Sequence, residues 1–232
     1  MNEHLHTSVL AAHWTLVVMA IVYSIRIFWF TRFKAGKERQ ASTGTPGRTN
    51  PIKGRWYSWF IIAMPWAMES SRKKPLLYGQ FVLFHIGVVA AIAQTFTLPF
   101  LSNLHTNPIG MRVFQVMIGL AFLVAVIRII RRISSKYLRA ISTPDDHFSL
   151  LILTVWFFFG LLSANYPLDG RTILIGMDGN LAMMVFFWMT AFFLIYVPFS
   201  KISHYLYYPF TRYYLGKTMG HRGVYPLVRK QN

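Results

Sequence analysis

Five long apolar runs constrain the fold of this chain more than any other feature of its sequence. They cover residues 9–30, 76–100, 109–130, 148–164 and 181–200. A helix needs about 20 apolar residues to cross the hydrocarbon core of a bilayer. Lipid tolerates only helices or closed barrels, and these runs show no alternation of polar and apolar residues, so each is predicted to be a helix. The sequence therefore predicts an all-α integral membrane protein, a bundle of five transmembrane helices.

Lys and Arg are distributed unevenly between the loops that join these runs. Residues 31–75 hold ten of them, residues 128–140 five and residues 201–232 six. Of the residues on the opposite side, only Arg112 and Arg171 are basic. Because loops rich in Lys and Arg stay in the cytoplasm, we expect the N-terminus outside and the C-terminus inside, in the inner (cytoplasmic) membrane of a cell. The net charge of +17 then reflects membrane orientation, and we expect no nucleic-acid partner.

Two segments outside the apolar runs also carry information. Glu3 and the lack of a basic cluster before the first run indicate that the first helix is not a cleaved signal peptide. The cytoplasmic segment 31–75 combines a flexible linker, residues 35–53, with an aromatic-rich stretch, residues 56–66. That stretch is too short to span a bilayer. It forms either an amphipathic helix in the inner membrane interface or an inward extension of the second transmembrane helix.

Few residues in the apolar runs can carry chemistry. The chain has no Cys, which excludes disulfides, thiolate metal sites and Cys-ligated iron–sulfur clusters. Of its eight His, His147 follows Thr143 and two Asp residues at the start of the fourth helix, where we expect an N-terminal cap. His85 lies inside the second run and His204 just after the fifth. An imidazole within a membrane span is costly and is a functional hypothesis by default.

A pair of imidazoles on two helices of a bundle can ligate a haem iron from both sides, which suits electron transfer. A lone His on a helix can instead be a hydrogen-bonded packing residue. His85 and His204 reach one level only if the fifth helix continues to about Tyr207 or the second begins further out in the cytoplasm. Haem propionates would need cations, and the candidates at the inner helix ends are Arg26, Arg128, Arg131, Arg132 and Lys201. Each of these can instead extend to the lipid headgroups.

Three motifs give the chain a family resemblance. They are FHIGV in the second helix, RRI-SKYLRAISTPDDHFSLLIL across the third loop and PFSKISH after the fifth helix. The chain resembles the gamma subunit of respiratory nitrate reductases and, more closely, the membrane cytochrome b subunits of the Dsr, Tmc and Hmc redox complexes of sulfate reducers. The resemblance covers about residues 1–210, which we expect to form the membrane domain. Residues 211–232 would then form a basic cytoplasmic tail.

The resemblance implies a b-type haem subunit of a multi-subunit respiratory redox complex. Such a subunit transfers electrons between the quinone pool, menaquinone or another quinone, and a partner iron–sulfur or cytochrome subunit. By this resemblance, His85 and His204 match the pair that ligates the haem nearer the cytoplasm. Relatives with two haems carry further His ligands where this chain has Thr95 and Phe186, and neither residue can ligate iron. We therefore expect one haem b. His13 could replace one missing ligand, but no partner for it is evident.

The same residues leave other functions open. A haem-free membrane scaffold or transporter subunit, in which His85 is structural, is the main alternative. An enzyme that modifies lipids would need clustered acidic or nucleophilic side chains at one depth, and the helices contain almost none. We expect an electron-transfer subunit without a catalytic site of its own. Its basic cytoplasmic face would bind anionic lipid, an iron–sulfur subunit and other membrane subunits of the complex.

Overall fold

The computed structural model describes residues 3–33, 49–101, 104, 107–164 and 179–225, and this part of the chain is helical without any strand. The helices are α1 Glu3–Arg32, α2 Pro51–Trp56, α3 Glu69–Lys73, α4 Pro75–Phe100, α5 Pro108–Ser134, α6 Lys136–Ile141, α7 Pro144–Ser163, α8 Gly179–Tyr196 and α9 His204–His221. Five of them, α1, α4, α5, α7 and α8, are long and apolar enough to cross a membrane. The prediction of an all-α, multi-pass membrane protein is confirmed.

Local sequence signals explain where several helices begin. Pro is the first residue of α5 and α7, where its missing N–H costs nothing. The Asn107 side chain accepts a hydrogen bond from the N–H of Ile109 at 2.9 Å. The Asp146 carboxylate accepts from the backbone N–H of Thr143 at 2.8 Å, as in a capping box. The cap predicted at the start of the fourth transmembrane helix is therefore confirmed.

The last transmembrane helix ends earlier than one of our expectations required. Helix α8 stops at Tyr196, two tight turns follow, and α9 begins at His204. Pro198 lies in the first of these turns and has no N–H to continue the helical ladder. The first condition for bringing His85 and His204 to one level, a fifth helix that continues to Tyr207, is therefore not met, although the chain is helical again from His204. The second condition, an earlier start of the second transmembrane helix, is not met either, because α4 begins at Pro75.

The chain divides into two compact units, residues 1–21 with 79–202 and residues 22–78 with 203–232. The first unit has an aromatic core. The fully buried members of that core include Ile118, Ala121, Phe157, Phe186 and Phe187. A Cβ added to Gly87 would overlap the side chain of Ala121, so α4 and α5 approach each other closely at this glycine.

The second unit joins α2 to α9. A Cβ added to Gly216 would lie 2.5 Å from the carbonyl oxygen of Gly54 and 2.7 Å from Cβ of Ser58. A Cβ on Gly220 would lie 2.5 Å from the carbonyl oxygen of Asn50, and Ser58 is fully buried. The two helices therefore touch through backbone, and the boundary expected between residues 210 and 211 falls inside α9.

The aromatic stretch 56–66 is not an inward extension of the second transmembrane helix. Its first part completes α2 and continues as the π-helical turn Tyr57–Ile61. Turns and α3 then separate it from α4. Its place in the membrane interface stays a prediction. Most of the expected linker, residues 35–53, lies outside the described residues.

Candidate functional site

The His85 side chain is held in one defined orientation on α4. Its Nδ1 lies 2.7 Å from the backbone carbonyl oxygen of Phe81, one helical turn earlier. Because a carbonyl can only accept a hydrogen bond, Nδ1 must carry the proton. The lone pair of the neutral imidazole is then on Nε2. Metal-ligating His residues are commonly held in this way, with one ring N–H donated to a carbonyl and the other nitrogen free to bind.

Two aromatic rings lie beside His85, and one of them also contacts a guanidinium. The His85 ring centroid lies 4.1 Å from that of Phe81 and 6.0 Å from that of Phe84. On the neighbouring helix α5, the guanidinium carbon of Arg128 lies 4.6 Å from the Phe84 ring centroid. Two predicted site residues, His85 and Arg128, thus flank the same aromatic ring.

The C-terminal end of α5 carries further positive charge. Arg131 is exposed. Arg132 is half-buried, and its Nη1 is buried without a hydrogen-bond partner among the described residues. A buried N–H of a guanidinium calls for an acceptor. Arg128 and Arg132 lie one helical turn apart, so α5 offers two partly buried cations on one side.

Lys201 has partners of its own. Its Nζ donates to Thr143 Oγ1 at 2.7 Å and lies 3.1 Å from Asp146 Oδ1. The Tyr196 hydroxyl donates to Asp145 nearby. The end of the fifth span is therefore tied to the start of α7 by an ion pair and hydrogen bonds. A contact between Lys201 and a haem propionate stays a prediction.

His204 is the first residue of α9 and is exposed. It lines a cleft of about 310 Å³ with neighbours from the same helix: Tyr207, Tyr208, Thr211, Arg212 and Leu215. The Arg212 guanidinium carbon lies 5.3 Å from the Tyr208 ring centroid. His204 belongs to the second unit and His85 to the first. Neither of the two helix extensions that were expected to bring them to one level is present, so their pairing on one haem stays a prediction of the resemblance alone.

Arg26 also belongs to the second unit. Its Nε donates to the hydroxyl of Tyr207 at 3.0 Å. The two side chains border a cleft of about 690 Å³, whose lining residues are Ile25, Arg26, Trp29, Phe30, Phe33, Tyr207 and Tyr214. Sequence reasoning missed Tyr207 as a site residue, although the dense run of Tyr after His204 was a visible signal.

Thr95 and Phe186, the two positions at which the resemblance led us to expect no haem ligand, lie in the packed core of the first unit. Phe186 is fully buried and stacks on Trp156, with ring centroids 5.9 Å apart and planes at 8°. Thr95 is buried and bonds the carbonyl of Ala91 at 3.1 Å. Beside it, fully buried Gln94 donates from Nε2 to the Gly160 carbonyl at 3.0 Å. These residues join α4, α7 and α8.

His13 provides a comparison for His85. Its Nδ1 lies 2.7 Å from the carbonyl oxygen of Val9, the same bond that His85 makes. Its Nε2 is buried and lacks a hydrogen-bond partner among the described residues. The ring sits among Phe96, Phe100 and Phe187, with centroids 5.2–6.3 Å away. Its immediate ring contacts are therefore aromatic.

The described residues contain no cluster of three or more His, Cys, Asp or Glu side chains that could hold a metal ion. A haem iron needs at most two protein ligands, because the porphyrin supplies the others, so this finding does not bear on a bis-His haem. Comparison of the chain with protein-family models, with curated proteins and with solved structures found no match.

Proposed function

We propose that this protein is a b-type haem subunit of a multi-subunit respiratory redox complex. It transfers electrons between a membrane quinone and a partner iron–sulfur or cytochrome subunit. The N-terminus lies outside and the C-terminus in the cytoplasm, and the membrane is the inner membrane of a cell. The positive-inside distribution of Lys and Arg supports this orientation.

The orientation of the His85 imidazole carries the proposal. An i−4 carbonyl holds Nδ1–H, which leaves the Nε2 lone pair available inside an apolar helix. The rings of Phe81 and Phe84 lie beside the imidazole, and Arg128 supplies a positive charge in contact with Phe84. A neutral nitrogen ligand, aromatic neighbours and a nearby cation fit a haem, which is flat, largely apolar and carries two carboxylates.

The residues of this chain would act as ligands and charges around the group. His85 and His204 would ligate the iron through neutral imidazoles, and the bound haem supplies reversible one-electron chemistry. Arg26, Arg128, Arg131 and Lys201 would offset the propionate charges. A positive charge near the haem favours its reduced form, so these cations would also raise its reduction potential.

A complement of one haem fits the packing in the outer half of the first unit. The side chains of Thr95 and Phe186 make hydrogen-bond and stacking contacts there, and neither offers a ligating nitrogen. Buried Gln94 bonds α7 through the Gly160 carbonyl and through Ser163 Oγ at 2.6 Å. A second haem would have to displace these contacts.

The experiment compares haem retention in three His variants. We expect His85→Ala and His204→Ala to insert into the membrane but to lose the haem. His13→Ala is the matched control, because His13 makes the same i−4 bond in another part of the same unit, and we expect it to keep the haem. Full haem content in both the His85 and His204 variants would refute the ligand assignment.

A haem-free scaffold or transporter subunit remains the second candidate. The observation that favours it is the bond between His85 Nδ1 and the Phe81 carbonyl, since such a bond also satisfies a purely structural His. His13 shows that the chain uses the same bond elsewhere. Purified protein that lacks Soret absorption would select this alternative.

A further inference from the structure

The larger cleft of the second unit is bordered by the inner third of α1 and by α9. Ring contacts close one side of it, with Phe30 5.1 Å from Tyr207 and 5.9 Å from Phe210 between centroids. Ile25 and Trp29 are 59% and 63% exposed, although they belong to a membrane-spanning helix. This side of α1 therefore faces lipid, and a molecule dissolved in the bilayer can enter the cleft laterally.

The polar side chains that line this cleft, Arg26, Tyr207 and Tyr214, can all donate hydrogen bonds. Arg26 carries the one charge among the lining residues. Its Nε is used on the Tyr207 oxygen, so the phenolic proton of Tyr207 is left to donate elsewhere. The Tyr214 hydroxyl can also donate. The ligand that complements this lining presents an acceptor and a flat, apolar body.

We propose that this cleft binds the ring of a quinone, with one quinone carbonyl accepting from the Tyr207 hydroxyl beside the charge of Arg26. The inference rests on the proposed function, and it locates the quinone. A single cation suits a neutral carbonyl better than a phosphate, which is usually met by several donors and charges. The aromatic lining, with Trp29 and Phe30 beside Tyr207, suits a planar ring.

The position of Tyr207 connects this cleft to a candidate haem ligand. Tyr207 follows His204 by three residues on α9, so the two side chains lie on neighbouring turns of one helix face. Tyr207 lines both the larger cleft and the smaller cleft that contains His204. A quinone bound to Tyr207 would therefore sit beside the residue proposed to ligate the haem.

The test is a titration of purified protein in nanodiscs with an alkyl hydroxyquinoline N-oxide, a quinone analogue whose fluorescence is quenched when it binds. We expect Tyr207→Phe to weaken binding about threefold to tenfold, because it removes one hydrogen bond and keeps the ring. Tyr213→Phe is the matched control: Tyr213 lies on the same helix and accepts from Arg55 at 2.9 Å, but does not line the cleft. Arg26→Gln with Arg55→Gln as its control gives a second pair.

Three outcomes decide whether this cleft is the quinone site. Weaker probe binding in the Tyr207 and Arg26 variants, with both controls unchanged, supports the cleft as the quinone site. Equal affinity in all variants of haem-containing protein overturns it and leaves the proposed function standing. Displacement of the probe from wild-type protein, but not from Tyr207→Phe, when phosphatidylglycerol replaces neutral lipid would assign the cleft to a lipid phosphate and overturn the quinone. Absence of haem from the wild-type protein would refute the proposed function by a separate readout.

Discussion

Replacement of Gly216 by Ala tests the contact between α2 and α9 directly. In a helix whose surface is free, Gly→Ala stabilises by about 1 kcal/mol, because Ala is the better helix former. Here the new methyl would lie 2.5 Å from the Gly54 carbonyl oxygen, 2.7 Å from Ser58 Cβ and 2.8 Å from Arg55 Cα. These atoms belong to the backbone or sit next to it, so α2 itself must move.

The clash and the helix propensity have opposite signs, and their sizes decide the outcome. Overpacking costs typically about 1–3 kcal/mol, and contact with backbone atoms puts this site at the upper end of that range. The better helix propensity of Ala offsets about 1 kcal/mol of this cost, so the docking of α2 on α9 is weakened by about 2 kcal/mol. That loss corresponds to an increase of about twentyfold to thirtyfold in the population with α2 undocked.

Because the sequence contains no Cys, a thiol introduced by mutation can be labelled specifically. Ser58 is fully buried, so the thiol introduced by Ser58→Cys is protected from a water-soluble maleimide while α2 is docked. When docking is faster than labelling, the labelling rate follows the undocked population. We expect Gly216→Ala to raise the rate by the factor given above. The thiol of Lys53→Cys, at an exposed position, should label rapidly in both backgrounds.

Gly79→Ala is the matched control, because a Cβ on Gly79 meets no atom within 4 Å. It should leave the labelling rate of the Ser58→Cys thiol unchanged. Equal or slower labelling of that thiol when Gly216→Ala is added would refute the reasoning, since helix propensity alone would then account for the result.

Two further predictions concern the proposed site and α9. Arg128→Leu should lower the midpoint potential of the haem in a redox titration, because loss of a positive charge stabilises the oxidised form. Arg131→Leu, at an exposed position, should lower the potential less. An unchanged potential in both variants would place the haem elsewhere. Deletion of residues 212–232 should release the cytoplasmic partner and leave the haem bound. Deletion of residues 226–232, which keeps α9 intact, should retain the partner. If the chain that lacks residues 212–232 still purifies with all its partners at high salt, the tail is only a membrane anchor.

The transmembrane helices were predictable because bilayer thickness sets their length. The observed start of α4 at Pro75 and of α5 at Pro108 each lies one residue from the predicted start. The cap at Thr143 was predictable for a similar reason, since it depends on residues that are neighbours in sequence. Signals of this kind are local, and they need no knowledge of how the helices pack.

The docking of α2 on α9 was not predictable from the same signals. Gly216 and Gly220 are spaced as in a small-residue packing motif, but they lie in a polar helix, outside the apolar context in which that spacing is informative. Their partner Gly54 is more than a hundred residues away in sequence. The contact is therefore a tertiary property, which the local sequence signals do not encode.

The candidate site was predictable only in part. His85 stood out because an imidazole within an apolar run is costly, and its residue type alone identified it. The proton on Nδ1 and the stacking of Arg128 on Phe84 depend on side-chain geometry, which a sequence pattern does not encode. Tyr207 was missed for the same reason, because its bond to Arg26 joins residues from opposite ends of the chain.

The ratio of haem to protein in the purified wild-type chain tests the central claim most directly. A pyridine haemochrome assay identifies the type of haem and measures its amount against the protein concentration. The proposal that His85 and His204 hold a single b-type haem predicts a ratio of about one. A ratio near zero would contradict haem binding, and a ratio near two would contradict the single site.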